Sequence, residues 1–339
     1  MNCRALSIVF TSLLISVAGA QTCTPLPSSY SGQDLGTLGG SYAVGTAINA
    51  SGMVAGYSRL TGNGVTDAFL WTPQTGMQDV GRIGGDTFAL GINDAGNVVG
   101  YGYVQNGSLE RAFLWTPTTG FLHLQVLSGD DQSIAYAIDD QNHAVGTTFY
   151  GERPFHAVLW TGSKVHELFD NSNNGFQYAT GITSSSLTVV GTDGLQGILW
   201  TKSKPLVHMG TLASGDTSNA ISISPNGTMV AGYDLNSTRS DSTPVVWTFD
   251  PNNGQPIIQA IGAHGTSYGA NDFCQAVGKV GFAFVWTPQS GLVDLNTLVS
   301  GLPVPLDSAL AINDVGQIVA TAPVNGVGYP HTYLLTPVP

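Results

Sequence analysis

Charge is scarce in this sequence. Asp, Glu, Lys and Arg make up 9% of its 339 residues, against roughly a quarter in average globular chains. Ten Lys and Arg stand against twenty-two Asp and Glu, a formal net charge of −12. The basic residues are dispersed, the closest pair being Lys202 and Lys204. Nucleic-acid partners require clustered cations, so that class is excluded. Helical periodicity is missing over any ten-residue stretch, and after residue 20 no apolar run reaches the roughly 20 residues of a membrane span. A disordered polyelectrolyte is excluded as well, since 42% of the chain is hydrophobic.

Glycine is plentiful at 44 residues, recurring between aromatic and β-branched residues as turns between buried strands do. Residues 1–20 read as a secretory signal peptide: Arg4, an apolar stretch from Ala5 to Val17, and Ala18-Gly19-Ala20 as the cleavage site. Thr22 stands where a lipobox before Cys23 would have Gly or Ala, so no lipid is expected. The mature chain is expected outside the cell or in the periplasm, with residues 21–32 as an N-terminal tail. Loss of the leader removes Cys3 and leaves Cys23 and Cys274, which in an exported protein form either one disulfide or two free thiols.

All six tryptophans fall into one series: Trp71, Trp115, Trp160, Trp200, Trp247 and Trp286, at spacings of 44, 45, 40, 47 and 39. Each closes a run such as "DAFLWTP", and "HTYLLTP" supplies a seventh copy with Leu335 in the Trp place. Upstream of each lies a strand–turn–strand segment such as "GINDAGNVVG". A short polar residue opens the turn, at Asn49, Asn93, Asp139, Thr183, Ser224, Asn271 and Asn313, where it bonds back to the backbone. Three residues on, the backbone wants a left-handed residue: Gly52, Gly96, Gly227, Gly316, with Asn142 as substitute. Ser186 and Cys274 depart from that rule. Cys274 in a glycine slot points to a disulfide offsetting local strain.

A third landmark, such as "QDLGTLGG", precedes each unit. Four short strands at a period of 40 to 45 residues are the pattern of a propeller blade. The chain therefore predicts an all-β fold, a seven-bladed β-propeller of four-stranded blades over residues 33–339. One outer segment, Asp34–Gly36, is spare at the front and one is missing at the back. The N-terminal strand is thus expected to complete the last blade and close the ring. The tryptophans should fill the spaces between blades.

These landmarks resemble the HAF repeat family of probable extracellular bacterial repeat proteins, named for a His-Ala-Phe tripeptide. Variants stand at Asp67-Ala68-Phe69, Arg111-Ala112-Phe113, His156-Ala157-Val158 and His331-Thr332-Tyr333, beside "DLGTLGG" at Asp34–Gly40 and "INDAGNVVG" at Ile92–Gly100. The resemblance covers all seven units, with units four and six the weakest, and implies export and a propeller-like fold; it implies no reaction.

The loops from each "DLG" strand to the next unit carry Asp86, Asp130, Asp131, Asp170, Asp216 and Asp307. In a closed ring these carboxylates would surround one mouth, holding a glycan, a peptide or a hard cation such as calcium, or else serving only as turn residues. "DNSNNG" at Asp170–Gly175 opens like a calcium loop without its closing Glu. Tyr103 and Tyr150 flank variable loops at the same mouth and suit stacking on a sugar. "GTSYG" around Ser267 matches a nucleophile elbow in letters but falls in a strand. His166-Glu167 lacks the second His of a zinc helix. The first expectation is a secreted, monomeric, non-catalytic binding module for an extracellular glycan or protein. The alternatives are a polysaccharide hydrolase or lyase, or a purely structural surface or matrix protein.

Overall fold

A computed structural model describes residues 23–338 apart from 105–106, 152–154, 170–174, 184–185, 239 and 325–328. The signal segment and Asp170 lie outside the described residues. Seven four-stranded antiparallel sheets form the fold, six of them following chain order from an inner to an outer strand. Blade one comprises Gly39–Ile48, Val54–Leu60, Thr66–Thr72 and Gly76–Gly81. Blades two to six repeat that order. Blade seven takes Ser308–Ile312, Ile318–Val324 and Tyr329–Pro337 from the end of the chain and Tyr30–Asp34 from its beginning. The closing pair runs from Tyr30 opposite Pro337 to Asp34 opposite Tyr333. Closure therefore lies slightly earlier than the Asp34–Gly36 segment, with Leu35 N–H adding one more bond to Thr332 C=O at 2.9 Å.

The apolar side chains of the third strands pack between blades. Trp160 and Trp247 are fully buried, and each indole N–H donates to a carbonyl of the preceding blade's edge, Gln125 O at 2.6 Å and Met209 O at 2.9 Å. Burying a Trp removes roughly 150–250 Å² from water, a few kcal/mol at about 25 cal/mol/Å². The tryptophan series thus welds neighbouring blades.

The glycine of the "VVG" strand is dictated by close approach. A Cβ on Gly146 would lie 2.0 Å from Ile134 O and 2.9 Å from Trp160 Cζ3. Blade seven places Ala320 and Leu335 at the equivalent positions, both fully buried.

The inner strands carry a feature absent from the sequence reading: a register shift at the same place in all seven, as between Gly45 and Ala47 or Ala135 and Ala137. Such a bulge re-aims one side chain. The skipped residues, among them Leu90, Tyr136, Tyr268 and Leu310, line the axial channel. One step on, Ile48, Ile92, Ile138, Ile182, Ile223 and Ile312 form a collar, with Ala270 in blade six.

The tight turns behave as expected. Asn49 Oδ1 accepts from Ser51 N–H at 3.1 Å and Met53 N–H at 2.9 Å, while Gly52, Gly96, Gly227, Gly316, Asn142 and Cys274 are all left-handed. Unit four corrects the reading. Its turn is one residue longer, and Leu187 (φ 47°) rather than Ser186 takes the left-handed position. Cys274 (φ 62°) is bonded to Cys23, Cα to Cα 5.1 Å.

Candidate functional site

The ring has two unlike faces. One carries the tight turns; the other carries the loops between second and third strands and the connectors between blades.

On the loop face the aspartates expected to converge are instead separately engaged. Asp86 Oδ1 accepts Thr66 N–H at 2.8 Å, tying the connector to the preceding blade. Asp130, whose side chain is 4% exposed, accepts from Thr148 Oγ1 and pairs with His156 Nδ1 at 2.9 Å. Asp131 turns Oδ1 inward without a hydrogen-bond partner among the described residues. Asp307 takes the Lys279 ammonium on both oxygens, at 2.9 and 2.8 Å. Among the described residues no three His, Cys, Asp or Glu side chains gather closely enough to hold a metal.

Asp216 meets a carboxyl that the sequence reading did not single out, Asp234. Burial, then the Asp216 hydrogen bond and charge, push Asp234 up to about 6 against the opposing pull of Leu212 N–H, which donates to Oδ2 at 3.0 Å. A raised carboxyl binds more protons in the fold than in the unfolded chain, so stability falls as pH rises from about 4 through 6. Asp234→Asn keeps the Leu212 acceptor and removes the repulsion. We expect it to raise the melting temperature above pH 7, worth about 1–2 kcal/mol, with little change at pH 4. Melts at the two pH values check this, and an equal shift at both would refute it.

Aromatic rings dominate the same face. Tyr57 meets Phe88 edge-on at 4.9 Å, Phe88 stacks on Tyr101 at 5.0 Å, and Tyr101 meets Tyr103 at 6.0 Å. Arg59 lies over Tyr42, 5.0 Å from its centroid. Across blades three and four Phe155 contacts Phe149, Phe176 and Tyr178 at 4.5, 5.0 and 5.5 Å. Tyr103 belongs to this arc, whereas Tyr150 stands apart, 60% exposed on its loop.

Glu110 sits within the arc, half-buried, with Tyr103 beside it across the strand pair. Burial raises its carboxyl pKa, partly offset by the Tyr103 hydroxyl. Burial likewise raises the phenols of Tyr101 and Tyr136, and the Glu110 charge adds to both. Glu110 occupies the slot that holds Thr66 and Phe155 in units one and three. A carboxylate breaking the repeat was the signal available in the sequence.

The tight turns of the opposite face carry Asp94, Asp140, Asp272 and Asp314. Asp94 Oδ1 accepts Ala50 N–H, Asp140 Oδ1 accepts Asp94 N–H, and Asp314 Oδ1 accepts Asp272 N–H, each at 2.9 Å. Beneath them Asn49, Asn93, Asn271 and Asn313 each donate a side-chain N–H to a carbonyl of the next blade's turn, at 3.0 to 3.1 Å. These carboxylates serve as links between turns.

Ser267 is fully buried in the inner strand of blade six, away from any strand-to-helix elbow. His166 and Glu167 are exposed on an outer strand. No helix among the described residues is long and apolar enough to cross a membrane.

These faces define a seven-bladed propeller with an uncharged axial channel, an aromatic loop mouth and a hydrogen-bonded turn mouth. Solved structures of similar fold include an oligogalacturonate lyase in complex with manganese, at TM-score 0.53 and 12% identity over 91% of this chain and 93% of that one. The oligogalacturonate lyase of Vibrio parahaemolyticus gives 0.51 and 11% over 90% and 93%. A puromycin hydrolase gives 0.50 and 12% over 91% of this chain and 56% of its own. At such identities the likeness shows the fold alone. No protein-family model matches the chain, and no curated protein matches its sequence.

Proposed function

We propose that this is an exported, monomeric binding module that holds a neutral glycan across the aromatic loop mouth. The observation that carries the reading is the arc of rings from Tyr42 through Phe88 to Tyr103, with Glu110 and Arg59 placed among them. Sugar faces stack on such rings while their hydroxyls bond to the polar groups between. Export rests on the signal-like residues 1–20 and the HAF-like repeats, and is supported by the disulfide, which persists in oxidising compartments. A net charge of −12 and the Glu110 carboxylate oppose a polyanion, so the acidic sugar in the names of two fold neighbours does not transfer to this chain.

A catalytic reading is favoured by one observation, the raised carboxyl of Glu110 beside tyrosine hydroxyls, the environment of a general acid. Asp86 and Asp130 suit that role less, being engaged by Thr66 and by His156 with Thr148.

Titration calorimetry of the mature protein with neutral oligosaccharides tests the binding reading. We expect saturable binding in the micromolar to millimolar range and at least a tenfold loss for Tyr103→Ala, with its fold retained by circular dichroism. Binding indifferent to Tyr103, or no binding of any neutral glycan, would overturn it. Reducing ends appearing over time, and lost in Glu110→Gln, would transfer the site to catalysis.

A further inference from the structure

Below the aromatic mouth the channel encloses about 500 Å³. Its wall contains no Asp, Glu, Lys, Arg or His. Leu90, Ile221 and Leu310 stand at bulge positions and the isoleucine collar lies beyond them. The two threonine hydroxyls in the wall are already committed. Thr46 Oγ1 donates toward Ala55 O and Ala89 O, at 3.1 and 2.9 Å, and Thr180 Oγ1 toward Val190 O and Ala220 O, at 3.3 and 2.9 Å. The remaining polar groups are the Tyr136, Tyr268 and Ser222 hydroxyls and the free edges of the inner strands. Isoleucine, leucine and alanine side chains form the greater part of the wall, and an apolar occupant gains by displacing water from them.

We propose that the channel binds the alkyl chain of a nonionic amphiphile whose polar head rests at the loop mouth. The inference deepens the glycan reading and rests on it for the head group only. Three observations choose the occupant. The wall offers aliphatic contact and no counter-charge, which excludes an ionic tail. Glu110 at one end and Asp94, Asp140 and Asp314 at the other repel an anionic head such as a fatty-acid carboxylate. Tyr136 lines the channel and meets Tyr178 of the loop-face aromatic cluster edge-on at 6.2 Å, so head and tail sites are continuous.

The test uses n-octyl β-D-glucoside below its micelle-forming concentration, methyl β-D-glucoside, 1-octanol and a neutral oligosaccharide, each titrated into the mature protein. Octyl glucoside is expected to bind at least tenfold more tightly than methyl glucoside, with hexyl glucoside between them. Leu310 is half-exposed to the channel, so Leu310→Asp can fold. It should cost octyl glucoside at least tenfold and leave the oligosaccharide unchanged, while Leu310→Met keeps both. Octyl glucoside binding no better than methyl glucoside, or binding unaffected by Leu310→Asp, would overturn the channel site. Octanol binding without any response to sugars supports the channel and refutes the glycan mouth, whereas oligosaccharide binding without a chain-length effect does the reverse.

Discussion

Gly146→Ala is expected to cost at least about 3 kcal/mol, enough to lower a marginal fold's population severely. The new methyl would stand 2.0 Å from Ile134 O and 2.9 Å from both Ala135 Cα and Trp160 Cζ3. Two of these three obstacles are backbone, so no rotamer change relieves them. Moving Ile134 would shift the inner strand of blade three, which also forms the channel wall next to Tyr136. Overpacking of this kind ordinarily costs 1–3 kcal/mol when side chains can yield, and here they cannot. Urea unfolding of the purified variant measures the loss. A change below 1 kcal/mol would show that the blade accommodates a methyl and that the glycine is dispensable. Gly81→Ala is a poor comparison because its φ of 91° adds strain of another kind; Ala320→Gly in blade seven is the better one, with an expected loss of about 1 kcal/mol.

Removal of the Cys23–Cys274 bond is the second large effect. The bond spans 251 residues of sequence, and the loop-closure model assigns a cross-link of that length up to about 5.5 kcal/mol, where native bonds ordinarily contribute about 2–5. It holds the tail that leads directly into the closing strand, where Thr24 N–H also reaches Phe273 O at 3.3 Å. In a Cys23→Ser background we expect Cys274→Ala to melt well below the native protein. Cys274→Gly should recover about 1 kcal/mol of that deficit, since φ 62° is strained for alanine and free for glycine. Differential scanning calorimetry resolves the order. Equal melting of the two variants would mean that the turn relaxes once the sulfur is gone.

The parts legible in the sequence are those set by local chemistry repeated seven times. Each Trp marks a third strand because a large ring there packs against the neighbouring blade, a place that Leu335 takes in blade seven. Each Asn or Asp before a glycine marks a turn because its side chain satisfies its own loop, as Asn49 does for Ser51 and Met53. Ring closure was legible from counting strands. The bulges were not, since the residues they re-aim, such as Leu90 and Ile221, look like ordinary strand apolars. Nor was the direction of the acidity. Asp94 and Asp140 are turn residues in the sequence, and the bond that joins their turns depends on a neighbour 46 residues away. Asp86 and Asp130 occupy connectors at the expected mouth, yet each found a partner within its own or an adjacent blade. Glu110 is illegible by repeat, since Thr66 and Phe155 hold its slot in units one and three.

The closing pair also sets how the ring bears load. Tyr30 lies opposite Pro337, and Ser29 O accepts Val338 N–H at 3.0 Å, so both strand ends emerge on the same side. Tension applied there would peel the pair one rung at a time, the weakest way to pull a ladder. The cystine changes that loading. A pull on the tail passes through Cys23 to Cys274 in blade six, leaving Tyr30–Asp34 slack. The force then passes through blade six and on into blade seven, and the seam becomes a bypassed latch.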